Sequence, residues 1–250
     1  MENKVKILKT DINQIKLTDL SNRLINEDNL NVAVCNANSL VRSYKDKGLQ
    51  EILNNFDIAT PDGFPVAKAS NILYKNNQKR VDGYKIFNHT IEKSIEFGTS
   101  HYFFGNSEEV VKKIITKFKK KYPSINIVGY SCPPILAVEE LASNEYLEEI
   151  LKLEPNIVWL SFGFPKQEKL ISEIRANYKL NSNLVGVGFT FDWTAGTKYK
   201  APELIANLGL EWILRLIQEP KRLYKRYLID NTLFIFYFIK QYLQIKFKKN

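Results

Sequence analysis

The chain is short of the residues that staple or metallate a fold: 250 residues hold two cysteines, Cys35 and Cys132, and two histidines, His89 and His101. Two distant cysteines form neither a disulfide framework nor a Cys-x-x-Cys pair, and neither histidine has a metal-type partner at i+3 or i+4. Cys35 lies in an apolar run, the setting of a buried, inert thiol. Glycine (11) and proline (9) are too scarce for a fibrous or low-complexity chain. There is no Walker A spacing, no Gly-x-Ser-x-Gly elbow, and no Asp-x-Asp pair to hold a divalent ion on a diphosphate. No window reaches the roughly 18 apolar residues of a spanning helix, and the N-terminus has lysines but no signal-peptide core. The expectation is a protein made and kept in the cytosol, with no metal and no cofactor.

Acidic residues are scarce mainly at one end. The net charge is +9, and residues 198–250 hold 11 Lys and Arg against 4 Asp and Glu, so +7 of it sits in the tail and +2 in the rest. A neutral body with a basic tail points to a polyanionic partner for the tail.

What is present is a recurrent pattern. Short, nearly continuous apolar runs at Leu30–Asn36, Phe56–Thr60, His101–Gly105, Ile125–Tyr130, Asn156–Phe162 and Asn183–Phe189 read as strands covered on both faces. Segments of helical period lie between them. Strand-helix alternation over about 190 residues predicts an α/β fold, a mostly parallel Rossmann-like sheet flanked by helices. The division expected is a core over residues 1–197 and a basic helical appendage over 198–250.

Open α/β sheets bind ligands beyond the carboxyl ends of their strands, and the unusual residues cluster there. Asn36 and Asn38 follow the first run. Pro61-Asp62-Gly63 follows the second: Pro61 fixes its own φ, Gly63 permits φ > 0, and Asp62 sits between them, either as a turn former or as a functional carboxylate. Gly105 and Asn106 follow the third run. Gly163, Lys166 and Gln167 stand in "GFPKQE", where a helix N-terminus and a lysine favour an anion, unless the segment is a plain connection. In "GVGFTFDWTAG", Gly188 and Gly186 permit close approach of a ligand or a neighbouring strand, while Phe191 breaks the dinucleotide fingerprint. Asp192 is either a ligand contact or a cap.

In the tail, Trp212, Ile213, Leu216 and Ile217 share one helical face, and Pro220 starts a second helix with basic residues among aromatics. "LFIFYFI" at 233–239 is apolar but too short to span a bilayer. It suits a membrane interface, or docking on the chain's own body or on another subunit.

Together "TPDGFPV", "RVDG", "GFPKQE", "GVGFTFDWTAG" and "KAPELIANLGLEWILRLIQEPKRLYKRY" closely resemble the WecG/TagA/CpsF glycosyltransferases, glycosyltransferase family 26, from about Asn31 to Tyr227. The resemblance implies an inverting, metal-independent enzyme of cell-surface polysaccharide synthesis. It would transfer one sugar, typically N-acetylmannosamine or its uronic acid, from a UDP-sugar to a sugar on a polyprenyl diphosphate. It also implies Asp62 as general base and Arg80 at the leaving diphosphate, with Gln167 at the sugar or diphosphate. Arg215, Arg222 and Arg226 would be appendage arginines that clamp a diphosphate or meet anionic lipid. The family commonly carries Thr-x-Asn at the end of the first strand named. Asn36 matches, whereas Val34 has no hydroxyl; in another register Asn36 and Asn38 take those places.

The partners expected are the UDP-sugar, the lipid-linked acceptor, the inner face of the cell membrane and a possible second subunit, with no nucleic acid. The competing class is a binding module for anionic lipid or nucleic acid on an α/β scaffold. The aliphatic and aromatic residues interleaved with the tail's charges favour lipid over a phosphate backbone, and no nucleic-acid signature accompanies them.

Overall fold

The computed structural model describes residues 3–247, apart from the side chains of Arg222 and Arg226. Two short strands, β1 (Lys4–Ile7) and β2 (Thr10–Asn13), form an antiparallel hairpin. The main sheet has six strands: β3 (Asn31–Cys35), β4 (Ile58–Pro61), β5 (His101–Gly105), β6 (Ile127–Ser131), β7 (Ile157–Ser161) and β8 (Asn183–Gly186). Their order is β4-β3-β8-β7-β5-β6, and every neighbouring pair is parallel. All six apolar runs became strands of this sheet.

Helices cover both faces, which is why the runs are continuous rather than alternating. Tyr102, Phe104, Val158 and Leu160 point into one core, beneath the helices Ala37–Lys45 and Lys166–Asn177. Their neighbours Phe103 and Trp159 point into the other, where Phe87 meets the rings of Phe103, Phe118, Trp159 and Phe191 at centroid distances of 5.0–5.6 Å. His101 belongs to this second face. It is fully buried between Ser94 and the indole N–H of Trp159, and burial pushes its pKa down to about 3, so the ring is a neutral core group.

Two segments of helical period are each divided. The segment 38–56 holds two helices because Asp46 ends Ala37–Lys45 and its side chain caps Lys47–Asn54 through Leu49 N. The stretch 138–153 likewise breaks into Val138–Leu141 and Asn144–Leu153.

Every element described beyond residue 198 is a helix: Glu203–Asn207, Glu211–Gln218, Pro220–Lys225, a π-helical turn at Arg226–Asp230, and Asn231–Phe247. Its last helix docks on the body. Phe234 is buried, Tyr237 lies 4.3 Å from the ring of Tyr44, and the Gln241 side chain bridges the hairpin by accepting from Leu8 N and donating to Lys6 O. The opposite face keeps Ile235, Phe236 and Ile239 at least half exposed. Among the described residues, no helix is long and apolar enough to cross a membrane.

Candidate active site

Parallel pairing of β3 with β4 sets Cys35 opposite Pro61, so Asn36 and Asp62 leave the sheet side by side. Asp62 N bonds to Cys35 O at 2.9 Å, and Gly63 then turns at φ 79° into the helix Phe64–Tyr74. This fixes the carboxylate at the rim. The "RVDG" segment runs alongside, held by Val81 N donating to Pro61 O at 3.1 Å. Asp82 caps the helix Gly83–Ser94 through Lys85 N, and Gly83 is required there because a Cβ would come within 2.9 Å of Thr190 Oγ1.

Arg80 is therefore delivered beside Asp62 with its side chain 8% exposed. Its Nη2 lies 3.3 Å from Asp82 Oδ2, and its Nη1 donates to Glu211 Oε2 of the appendage at 2.7 Å. Burial works against the Arg80 charge, but Asp82, Glu211 and Asp62 outweigh it and hold the guanidinium above its usual pKa. The same crowding acts on Asp62. Burial first, then the carboxylates of Asp82 and Glu211, raise its pKa to about 6, against the pull of Arg80 and Arg215.

Asp62, Arg80, Glu211 and Arg215 line a cavity of about 110 Å³, together with Asn36, Asn38, Gly63 and the appendage residues Trp212 and Tyr227. The two asparagines also have structural duties. Asn36 forms a reciprocal cap with Ser39, and Asn38 donates to Asp230. Arg215 stacks over Phe189 at 4.7 Å and Trp193 at 5.1 Å, a cation–π arrangement. Three buried donors here lack a hydrogen-bond partner, Arg80 Nε, Arg215 Nε and Trp193 Nε1, while Arg80 Nη2 is met by its ion pair with Asp82. Unmet donors converging on one cavity are expected where a polar ligand binds.

A second group continues along the sheet edge. Asn106, at φ 64°, donates to Asp192 Oδ2 at 2.9 Å and to Ser161 Oγ at 3.2 Å, and Ser161 Oγ donates to Gly188 O. Gly105 precedes it at φ 101°, where a Cβ would meet Ser161 O at 2.9 Å. Asp192 sits in the first turn of the helix Thr190–Ala195, and its carbonyl accepts from Thr197. Gln167 is 4% exposed and braced on both ends of its amide: Oε1 accepts from Gly163 N at 3.2 Å and Nε2 donates to Glu168 Oε1 at 3.0 Å. At Gly186 the close neighbour is neither a ligand nor a strand but the Gln167 side chain, since a Cβ there would lie 2.7 Å from Gln167 Nε2.

Not every residue singled out in the sequence reaches the cavity. Lys166 instead lies over the ring of Phe162 at 5.9 Å, and Pro165 stands at the cap position of its helix. The side chains of Arg222 and Arg226 lie outside the described residues. Glu211, Trp193, Trp212 and Tyr227 line the cavity but were not singled out as site residues, although all four fall within motifs quoted above. Glu168 was passed over too. It is 1% exposed, one of its oxygens is unpartnered, and burial lifts its pKa to about 7.

Among the described residues, no group of three or more His, Cys, Asp or Glu side chains could hold a metal ion. The arrangement offers a carboxylate able to take a proton near neutrality, flanked by two guanidinium groups. That suits deprotonation of a hydroxyl beside a departing anion.

Comparison with known proteins gives a match to the glycosyl transferase WecG/TagA/CpsF family over residues 5–248. Three similar proteins are each described as N-acetylglucosaminyldiphosphoundecaprenol N-acetyl-beta-D-mannosaminyltransferase. The one from Bacillus spizizenii is 30% identical over 69% of this chain and 65% of its own length, just under two thirds. That from Bacillus subtilis strain 168 is 28% identical over 76% of this chain and 72% of its own. That from Staphylococcus aureus strain MW2 is 24% identical over 88% and 87%.

Proposed function

This chain belongs to the WecG/TagA/CpsF glycosyl transferase family, and from that premise we propose that it transfers one N-acetylmannosamine-type sugar from a UDP-sugar to a polyprenyl-diphosphate-linked sugar. The observation that carries the reading is Asp62, raised to about 6 at the rim of a cavity it shares with Arg80 and Arg215. The names of the relatives supply the sugar and the lipid-linked acceptor.

In the proposed step the acceptor hydroxyl attacks the anomeric carbon from the face opposite the nucleotide. Its proton passes to Asp62, the new C–O bond forms as the old one breaks, and UDP leaves with the bonding electrons. An ordinary aspartate near 3.9 is a weak base at neutral pH. The raised value brings Asp62 closer to the operating pH while leaving it mostly ionised at 7, the compromise general-base catalysis favours. Arg80 and Arg215 meet the charge that develops on the diphosphate, acting as fixed donors in a partly desolvated site. The braced amide of Gln167, with Asn106 and Asp192, forms the wall assigned to the donor.

A cavity of about 110 Å³ is below the ~300–1,000 Å³ of ordinary small-molecule sites. The described arrangement is thus a closed one in this reading. The appendage residues Glu211, Trp212, Arg215 and Tyr227 move aside for the nucleotide sugar, and Glu211 cedes Arg80 to the diphosphate. In this reading the protein works at the inner surface of the membrane, where the acceptor resides, and the exposed apolar face of the last helix and the basic tail support it.

Incubation with a panel of UDP-sugars and a synthetic lipid-diphosphate-sugar tests the reading. UDP release that requires both UDP-N-acetylmannosamine and the acceptor supports it. Release without acceptor, or from no donor in the panel, refutes it.

A further inference from the structure

Beside the catalytic cavity lies a larger groove of about 940 Å³, lined by Arg80 and by Phe64, Val81, Glu203, Ala206 and Asn207 of the same motifs but by none of the other residues proposed for the site. The two share Phe64, Arg80 and Ala206, so Arg80 stands at their junction. One wall is the helix Phe64–Tyr74, which presents Phe64, Ala67, Lys68 and Asn71. The facing wall is the irregular segment 75–82, kept in shape by side-chain amides. Gln78 N donates to Asn71 Oδ1 at 2.7 Å, Gln78 Nε2 to Ile15 O at 2.8 Å, and Asn71 Nδ2 to Gln78 O at 3.1 Å. A loop fastened this way is preformed, which lowers the cost of binding against it.

The groove's chemistry is two-sided. Its lining carries five basic residues against two acidic ones. Lys85 pairs with Glu203, whereas Lys16, Lys68 and Lys79 are exposed and have no acidic partner among the described residues. The helix Leu17–Asn26 opens onto the groove with no side chain capping its first turn, leaving backbone N–H groups and the positive end of the helix dipole facing it. Arg80 adds Nε, buried and without a hydrogen bond. Of the uncharged lining, Ile15, Leu17, Phe64, Ala67, Val81 and Ala206 are apolar, and the side-chain amides that fasten the loop, with Gln14, Thr18 and Asn207, supply the polar part. Leu204 at 80% and Ile72 at 42% exposure stand on the helices that frame it, and Leu208 at 69% follows directly after one of them.

A nucleotide would use the cations but not the apolar floor, and a free hydrocarbon chain would use the floor but not the cations. A diphosphate with a polyprenyl chain uses both. We propose that this groove holds the diphosphate and first isoprene units of the lipid-linked acceptor, with Lys16, Lys68 and Lys79 at the phosphates, and passes the acceptor sugar across Arg80 to Asp62. The proposal rests on the transfer reading above for the acceptor's identity, and it assigns the donor and acceptor to different cavities.

Equilibrium binding to the full chain tests it, with farnesyl diphosphate, farnesol and UDP as probes and no turnover required. The triple variant Lys16→Glu/Lys68→Glu/Lys79→Glu replaces exposed side chains and should melt with wild type. Expected are at least fivefold weaker binding of farnesyl diphosphate, at least fivefold preference of wild type for farnesyl diphosphate over farnesol, and UDP affinity within twofold of wild type. A smaller loss of farnesyl diphosphate, a parallel loss of UDP, or no farnesyl diphosphate binding by wild type overturns the groove assignment. A chain that fails to transfer sugar yet shows the expected binding pattern would refute the transfer reading and leave the groove as a prenyl diphosphate site.

Discussion

Arg80 on the sheet rim and Glu211 on the appendage are joined by a 2.7 Å hydrogen bond between buried charges 131 residues apart. The appendage is held shut by a group that the proposed chemistry also needs. Replacing Glu211 by Gln removes one charge of the pair and keeps the side-chain shape. The appendage is then expected to be cut by trypsin several-fold faster under native conditions, with the melting temperature of the body changed little. Equal cleavage rates would mean that Phe234, Tyr237 and Gln241 hold the appendage without help from Glu211.

The pH dependence of turnover follows from Asp62. A base with a pKa of about 6 is about one-eleventh ionised at pH 5 and about ten-elevenths at pH 7. The kcat/KM is expected to rise about tenfold across that interval and flatten above it. Asp62→Asn should lower turnover by about 10²–10⁴-fold and abolish the rise. A wild-type profile already flat at pH 5 would assign the base elsewhere.

Glu168 predicts a pH-dependent stability. Its folded-state pKa of about 7 lies above its usual 4.5, so the folded chain binds the proton more tightly than the unfolded one. Its favourable contribution is whole below pH 4.5 and is lost as pH rises through 7. Glu168→Gln keeps an acceptor for Gln167 Nε2 and removes the buried charge. It should be nearly neutral at pH 5 and stabilising at pH 8, by on the order of 2–3 kcal/mol at most. Denaturant melts at the two pH values decide the matter.

The proposed membrane attachment would use the exposed apolar residues of the appendage. Ile217, Phe236 and Ile239 are 70%, 62% and 50% exposed, so changing all three to Asp should not disturb folding. Co-sedimentation with anionic vesicles is expected to fall several-fold, while turnover with a soluble short-chain acceptor stays within twofold. Unchanged sedimentation would leave attachment to the tail's charges alone.

The sheet was legible because burial on both faces writes each strand as a continuous apolar run. The rim residues were legible because Pro61-Asp62-Gly63 and Gly105-Asn106 mark chain reversals at strand ends. The hairpin Lys4–Asn13 was not, since its lysines and short strands carry no run of that kind and its tie to Gln241 spans over 230 residues. The appendage's half of the site was hidden for the same reason. Glu211, Trp212 and Tyr227 read locally as one amphipathic helix series, and only docking turns them toward Asp62. Glu168 looked like an ordinary first-turn acid, because a helix propensity says nothing of which face the body covers.

Asn38 bonds to Asp230, and Gln241 to the backbone at Lys6 and Leu8, so the appendage is matched to two distant parts of the body. It is not a detachable module. A chimera carrying another family member's last fifty residues would mismatch at both contacts unless the hairpin and the residue at position 38 were exchanged with it. Recombination between members should therefore preserve whole chains more readily than it shuffles their ends.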